Sequence, residues 1–304
     1  MKLKYLEASH VETLFFLSNM RNIKAIVETA LAEIGELYDE REARNVAGRL
    51  LEDLFGITRM DILTDRQMNW GESEDERFSE ALRRIATGEP LQYIVGKAPF
   101  YGREFLVNPA TLIPRPETEE LVDLVIKDNQ GFRGRILDIG TGTGCIPITL
   151  AAELSGCQTE GLDISDGALD TARKNAEALG VDTVFRKSDI LTDELEENTY
   201  DIIISNPPYV RDSEKALMHR NVLEHEPHTA LFVSDSDPLL FYRRIAHLAS
   251  EALRQNGRLY FEINEAFGEA TAEMMRQSGF HQIRILKDLQ GKDRIVAGEI
   301  QARF

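Results

Sequence analysis

Asn206, Pro207, Pro208 and Tyr209 follow three consecutive isoleucines, Ile202–Ile204, and Ser205. The isoleucine run predicts a buried strand, so the four residues stand at its C-terminal end, where parallel α/β sheets bind ligands. The residue types suit one kind of chemistry. An amide or exocyclic amine nitrogen is a poor nucleophile because its lone pair is delocalised, so its two hydrogens must be held while the lone pair is aimed at an electrophile. The Asn206 side-chain oxygen and the Pro207 carbonyl are acceptors, and the prolines fix φ without adding a donor N–H. Tyr209 can cover a planar group. No general base is required, since the proton can leave once nitrogen becomes tetrahedral, and in-line positioning can supply up to ~7–11 kcal/mol of rate enhancement.

A second constellation lies upstream. Ile136-Leu137-Asp138-Ile139 runs into Gly140-Thr141-Gly142-Thr143-Gly144, and a helix follows. Glycines at alternate positions let the chain turn sharply and let a ligand approach the backbone. The helix N-terminus beyond offers N–H groups to an anion. The spacing is G-x-G-x-G rather than the G-x-G-x-x-G of dinucleotide sites, and Asp138 can take the ammonium of a bound amino acid, directly or through water. Those features favour S-adenosyl-L-methionine as cofactor, with S-adenosyl-L-homocysteine as product. Asp163, 19 residues beyond Gly144, can accept from both ribose hydroxyls or can cap the next helix, although Ser165 suits that role better. Asp189 can hold the adenine amino group and Ile190 can pack on the ring, or the pair simply ends a strand.

These residues need a frame. Strand-like runs at Arg135–Ile139, Thr159–Asp163, Thr183–Ile190, Asp201–Ser205 and Arg258–Ile263 alternate with helical stretches at Cys145–Leu154, Asp166–Leu179, Pro238–Arg254 and Glu265–Gln277. Such alternation predicts a parallel sheet covered by helices on both faces. Gln282–Leu286 and Arg294–Ile300 are joined by a turn too short for a crossover and must pair antiparallel. The expected fold class is α/β, a mostly parallel seven-stranded sheet with an antiparallel C-terminal hairpin plus a small N-terminal helical domain, a pattern that suggests a Rossmann-like class I methyltransferase. In that domain, apolar positions recur at helical spacing from Ile23 to Ile34, from Val46 to Phe55 before Gly56, and from Phe78 to Ile85 before Gly88 and Pro90. The acidic run Glu72–Glu76 reads as a solvated helix start. Leu91–Gly96 and Arg103–Val107 look like the strands of a hairpin. Leu112–Glu119 reads as an extended segment entering a helix near Pro116. The boundaries expected are 1–89 for the helical domain, 90–117 for the hairpin and connector, and 118–304 for the methyltransferase domain.

Composition limits the alternatives. The net charge is −17, with 12 basic and 18 acidic residues up to Val95 and 23 and 34 beyond it, so neither half is an obvious nucleic-acid module. Cys145 and Cys157 are the two cysteines, too few for a disulfide framework or a four-cysteine metal site, and both read as core residues of a reducing compartment. His219, His225 and His228 lie near the Asn-Pro-Pro-Tyr motif in surroundings unsuited to zinc, so no metal is expected. No apolar run reaches membrane-spanning length, and the patch Leu14–Leu17 lacks the cleavage site of a signal peptide. A cytoplasmic protein is expected.

Taken together, Gly140–Gly144 and Asn206–Tyr209 resemble the S-adenosylmethionine-dependent methyltransferases that act on planar nitrogen. Leu112-Ile113-Pro114-Arg115-Pro116-Glu117-Thr118-Glu119 narrows the resemblance to the PrmC/HemK family, the peptide chain release factor N5-glutamine methyltransferases. Phe100–Phe105, Glu226-Pro227 with Ala230-Leu231, Phe241–Ile245 and Asp288–Arg294 match as well, so the similarity spans about residues 20 to 300. The resemblance implies methylation of the side-chain amide of the Gly-Gly-Gln glutamine in class 1 release factors. By position it implies a cofactor site of Gly140, Thr141, Gly142, Thr143, Gly144, Asp163, Asp189, Ile190 and Asn206. It implies that Asn206, Pro207, Pro208 and Tyr209 hold the glutamine amide, with Phe100 and Arg115 at the pocket's border; Arg115 alternatively braces the domains. The helical domain is expected to dock the release factor or only to stabilise the enzyme, the chain is expected to be a monomer, and charge and hydropathy argue against nucleic acid or membrane as a direct partner. The chain departs from the family at Asn264, where Glu-Ile-Gly is usual, in the Val233–Pro238 loop, and at Ile190, an aromatic in some members. The nearest rivals are a nucleic-acid adenine amino-methyltransferase, which needs a way to extrude a base, and a non-catalytic cofactor-binding interaction protein. A nicotinamide dehydrogenase is disfavoured by the glycine spacing.

Overall fold

The computed structural model describes residues 20–35 and 37–301, and within it the chain divides into one unit ending at Val95 and another beginning at Gly96. The Leu14–Leu17 patch lies outside the described residues. In the first unit, β1 (Met20–Asn22) leads into α1 (Ile23–Ile34), α2 (Glu40–Phe55) and α3 (Arg59–Thr64). Then β2 (Gln67–Asn69) returns antiparallel to β1, and α4 (Glu72–Ala86) and α5 (Leu91–Val95) complete the unit. The apolar stripes foreseen in the sequence meet in one core, where Ile26, Ala47, Leu50, Phe78 and Ile85 close around Trp70. Helix ends are set locally. Asp39 caps α2 by accepting from the Glu42 N–H at 2.8 Å, and Gly56 stops it in a left-handed conformation, φ 67°. The short α3 was not evident from periodicity. Its signal is a capping box: the Asp61 N–H donates to Thr58 Oγ1 and the Thr58 N–H donates back to Asp61 Oδ2.

The first expected strand of the hairpin is corrected. Leu91–Val95 is a helical turn, with the Tyr93 and Ile94 N–H groups donating to the Pro90 carbonyl. Its Tyr, Ile and Val favour strands, but Tyr93 is buried and Leu91, Ile94 and Val95 pack on the helical core, so tertiary contact overrides propensity. The hairpin forms a few residues later, from β3 (Lys97–Phe100) and β4 (Arg103–Leu106).

In the second unit the hairpin is followed by α6 (Pro116–Asp128), with Pro116 in its first turn and Arg115 as its N-cap. The sequence then alternates β5 (Arg135–Ile139), α7 (Cys145–Glu153), β6 (Gln158–Asp163), α8 (Asp166–Leu179), β7 (Thr183–Lys187) and β8 (Tyr200–Ser205). A small segment follows: β9 (Val210–Arg211), α9 (Arg220–His225), α10 (His228–Leu231) and β10 (Phe232–Val233). The chain ends with α11 (Leu240–Ala252), β11 (Leu253–Glu262), α12 (Gly268–Gln277), β12 (Phe280–Lys287) and β13 (Asp293–Ile300). Among the described residues one seven-stranded sheet runs β12-β13-β11-β8-β5-β6-β7, parallel except where β13 pairs antiparallel with β11 and β12. This is the predicted fold class. The third strand is shorter than expected, because residues 188–190 leave it for a turn closed by the Thr192 and Asp193 N–H groups on the Asp189 carbonyl.

One core layer lies between the sheet and α6–α8, the other between the sheet and α11–α12. The chain winds outward from β5 through β6 to β7, then crosses back to β8 on the other side of β5. Ligands in open α/β sheets bind at such a reversal. Here β5 and β8 end in register, Ile139 opposite Ser205, and the Ser205 hydroxyl donates to the Ile139 carbonyl at 2.7 Å.

The turn after β5 is left-handed at each of its glycines, and its last position is crowded as well. Gly140, Gly142 and Gly144 have φ of 79°, 54° and 78°. A Cβ on Gly144 would lie 3.0 Å from the Ile148 side chain and 3.1 Å from those of Ala172 and Phe185. Gly144→Ala is expected to lower unfolding free energy by roughly 2–4 kcal/mol, combining left-handed strain with overpacking. Urea denaturation measures this, and a loss below about 0.5 kcal/mol, the range of a neutral surface change, would contradict it.

Candidate active site

The C-terminal ends of β5, β6 and β8 open into a cavity of about 410 Å³, within the range of small-molecule sites. Gly140, Thr141, Gly142, Thr143, Asp163, Asp189, Ile190, Asn206, Pro207, Pro208 and Arg115 line it. Three other expected residues stand off its wall. Gly144 lies behind it as the N-cap of α7. Phe100 is fully buried, edge-on to Phe105 with centroids 5.9 Å apart, because the hairpin turns its aromatic face into the core against α6. Tyr209 is half-buried, and its hydroxyl donates to Glu262 Oε1 at 3.0 Å.

The glycine turn is pinned to the neighbouring strand: the Gly140 and Thr141 N–H groups both donate to the Leu162 carbonyl at 2.9 Å. Asp163, at the end of β6, accepts from the Gly142 N–H at 2.9 Å and the Ser165 N–H at 2.9 Å. Ser165, not Asp163, caps α8, since its hydroxyl accepts from the Ala168 N–H. A carboxylate has about four acceptor positions, so Asp163 keeps capacity toward the cavity. Burial pushes its carboxyl up, and its backbone donors oppose that. Asp189 accepts from the Leu191 N–H at 3.0 Å, so the strand-end turn exists and also lies on the cavity wall.

Asp138 is wholly buried two residues before Gly140, behind the cavity wall, and neither carboxyl oxygen completes a hydrogen bond. Desolvation pushes its carboxyl up to about 7; the Thr141 hydroxyl works against this and the Asp163 charge adds to it. A buried carboxyl lacking a partner is costly unless a cation or donor arrives. This orphaned group behind a glycine cradle fits the ammonium end of S-adenosylmethionine. Thr141 Oγ1 is likewise buried without a hydrogen bond.

Two carboxylates that lie in family-matching stretches, but to which the motifs assign no role, organise the other side. Glu226, 4% exposed, accepts from Arg115 and from the Ile113 N–H at 3.2 Å, fastening the connector to the segment after β8. Arg115 thus lines the cavity and also makes a bracing ion pair. Glu262, wholly buried at the end of β11, accepts from Thr118 Oγ1 at 2.7 Å as well as from Tyr209. The Asn206 Nδ2 donates to Thr118 Oγ1 at 3.1 Å. Burial pushes the Glu262 carboxyl up, while the two hydroxyls and Arg294 oppose the shift.

Burial pushes the Cys145 thiol up to about 12, which leaves it inert. Cys157 is half-buried and unpaired. His228 bonds the Leu223 carbonyl, and no cluster of potential metal ligands exists among the described residues. No described helix is long and apolar enough to cross a membrane.

A family model described as "Methyltransferase small domain" matches residues 118–230, and one described as "PrmC N-terminal domain" matches residues 27–96. A Bacteroides thetaiotaomicron protein named release factor glutamine methyltransferase is 44% identical over 278 residues, covering 91% of this chain and 99% of its own. The chain belongs to the release factor glutamine methyltransferase family. A Flavobacterium psychrophilum relative of the same name is 43% identical over 281 residues, covering 91% of this chain and 98% of that one. Among solved structures, a methyltransferase from Pyrococcus furiosus is similar with a TM-score of 0.50 at 16% identity, covering 74% of this chain and 100% of that one, which shows a shared fold.

For a release factor glutamine methyltransferase, the departure at Asn264 has a local explanation. Its Oδ1 accepts from the Ala266 N–H, and its Nδ2 donates to the Tyr209 carbonyl and to Glu214. With φ −65° the position needs no glycine, and the side chain ties down the end of the Asn-Pro-Pro-Tyr turn. The Val233–Pro238 loop is held by Asp235, which accepts from the Ser213 N–H at 3.0 Å.

The raised Asp138 carboxyl has two consequences. The folded state holds this proton when the unfolded chain has lost it, so ionisation penalises the fold increasingly from about pH 4 toward 7. An arriving ammonium favours the ionised form, so cofactor binding at pH 6 should release about one proton. Calorimetry in two buffers of unequal ionisation enthalpy measures this. Asp138→Asn should abolish the release, and buffer-independent heats with the wild type would contradict the assignment.

Proposed function

We propose that the protein methylates the side-chain amide nitrogen, N5, of the glutamine in the Gly-Gly-Gln motif of class 1 peptide chain release factors, using S-adenosyl-L-methionine. The observation that supports this most is the adjacency of the two strand ends. The glycine turn after β5 and Asn206-Pro207-Pro208 after β8 line one cavity, with Ile139 and Ser205 in register between them. The relatives named above add the acceptor class, a release factor glutamine.

When bound, the cofactor supplies an electrophilic methyl on a sulfonium. Asp138 would hold its ammonium, the Gly140–Thr143 turn its amino-acid backbone, Asp163 its ribose, and Asp189 with Ile190 the adenine. Asn206 lies between the cofactor turn and the acceptor side. Its Oδ1 and the Pro207 carbonyl would each accept one amide N–H, which aims the nitrogen lone pair instead of leaving it conjugated. The nitrogen would gain the methyl carbon as that carbon's bond to sulfur breaks, leaving S-adenosyl-L-homocysteine, and would lose one proton to solvent. Pro208 adds shape without a competing donor. Tyr209 would support this turn from beneath through Glu262. The first unit would dock the body of the release factor, with a monomer acting in the cytoplasm.

Labelled S-adenosylmethionine tests this with a purified class 1 release factor, its Gly-Gly-Gln glutamine-to-alanine variant, and duplex DNA. Label is expected on the wild-type factor alone, mapped by mass spectrometry to that glutamine. Label on the alanine variant or on DNA would overturn the reading.

A further inference from the structure

The three hydrogen bonds beneath Asn206 run in one direction. Glu262 ends β11, beside β8, and its two carboxylate oxygens accept from two hydroxyls, Thr118 and Tyr209. A hydroxyl has one proton to donate. Thr118 spends its proton on Glu262, so toward Asn206 it presents only lone pairs. The Asn206 amide must then turn its NH₂ to Thr118, as the 3.1 Å contact from Nδ2 has it. The flipped amide would set Oδ1 against another acceptor inside a part-buried site, leaving both unsatisfied. Among the described residues Oδ1 receives no hydrogen bond, and Asn206 and Thr118 both line the cavity.

We infer that Thr118 and Glu262 are positioning residues that fix the polarity of the Asn206 amide, so that its oxygen and never its NH₂ faces the acceptor nitrogen. The inference rests on the proposed amide methylation and assigns a role to residues outside the glycine and Asn-Pro-Pro-Tyr motifs. A cavity-facing NH₂ would oppose two amide hydrogens with two more donors. The lock thus decides whether the site can recognise an amide nitrogen. It also explains why a carboxylate is kept in the core, where burial alone penalises it. Only an acceptor-only group at the base of the chain gives it a single direction, and the Arg294 charge favours that ionised form.

Substitution separates this role from packing. Thr118→Val keeps the shape and removes the hydroxyl, whereas Thr118→Ser keeps the hydroxyl and removes the methyl. With the release factor as acceptor, Thr118→Val is expected to lower kcat about 10- to 100-fold, the scale of a misdirected reacting group. Cofactor affinity by calorimetry should stay within about twofold, and Thr118→Ser should recover most of the loss. Wild-type kcat in Thr118→Val, or equal losses in both variants, would overturn the inference. A second readout does not need turnover. In the cofactor-free protein, the Asn206 side-chain NH₂ protons should show nuclear Overhauser contacts to the Thr118 methyl and slow solvent exchange. Their exchange should become fast in Thr118→Val and stay slow in Thr118→Ser. NH₂ protons exchanging freely with solvent in the wild type would overturn the polarity directly. If the wild type transfers no methyl, the proposed function falls, and this spectroscopic arm still decides the inference.

Discussion

The parallel pairing of β5 with β8 is the constraint on which the rest depends. Side chains in a strand alternate between faces, and here both faces are packed under helices, so a one-residue slip would carry every side chain from one packed layer into the opposite one. Ile136, Leu137, Ile202, Ile203 and Ile204 are all buried, which leaves the register no freedom. Because it is fixed, the glycine turn and Asn206 leave the sheet at the same height on adjacent strands. The Ser205–Ile139 hydrogen bond closes the pair at the point where the two turns diverge. Methyl transfer needs a donor and an acceptor nitrogen held in line, and this pairing is the part of the fold that supplies a common floor for both.

The two sides of the cavity use burial differently. On the cofactor side a carboxyl, Asp138, is buried without a hydrogen bond, a cost eased by holding its proton and, on the proposed reading, by an arriving cation. On the acceptor side Glu262 is buried with its donors already in place. The first arrangement makes an empty site unfavourable and a filled one favourable. The second stiffens the turn before any ligand comes. Asn175 extends the same logic to the hairpin: 1% exposed, its Nδ2 donates to the Thr143 and Leu106 carbonyls, linking β4 to the cofactor turn.

Much of this was legible in the sequence because the signals are local. The isoleucine run gave β8, alternate glycines gave the turn, and the helical stretch after Ser165 gave α8 at Asp166–Leu179. The parallel order followed from alternation, and the antiparallel end from a loop too short to cross over. Leu91–Val95 carries strand-favouring residues, yet it is helical because of the helical core that it packs on. Phe100 faces the core for a related reason: a motif position does not say which face of a hairpin is buried. Thr118 and Glu262 lie 144 residues apart and meet only through the register of β11 with β8. No spacing rule reaches across such a distance. Asn264 is similar, since its partners Tyr209 and Glu214 become neighbours only after folding.

The central claim is that Asn206 serves the transferring step more than it serves cofactor binding. Asn206→Ala measures that most directly when turnover on a release factor and cofactor affinity are determined on the same preparation. Turnover is expected to fall by at least about 1,000-fold, the loss seen when an essential aligning group is removed. Cofactor affinity should fall by no more than about tenfold, or ~1.4 kcal/mol. Unchanged turnover, or turnover that falls only in step with cofactor affinity, would contradict the account.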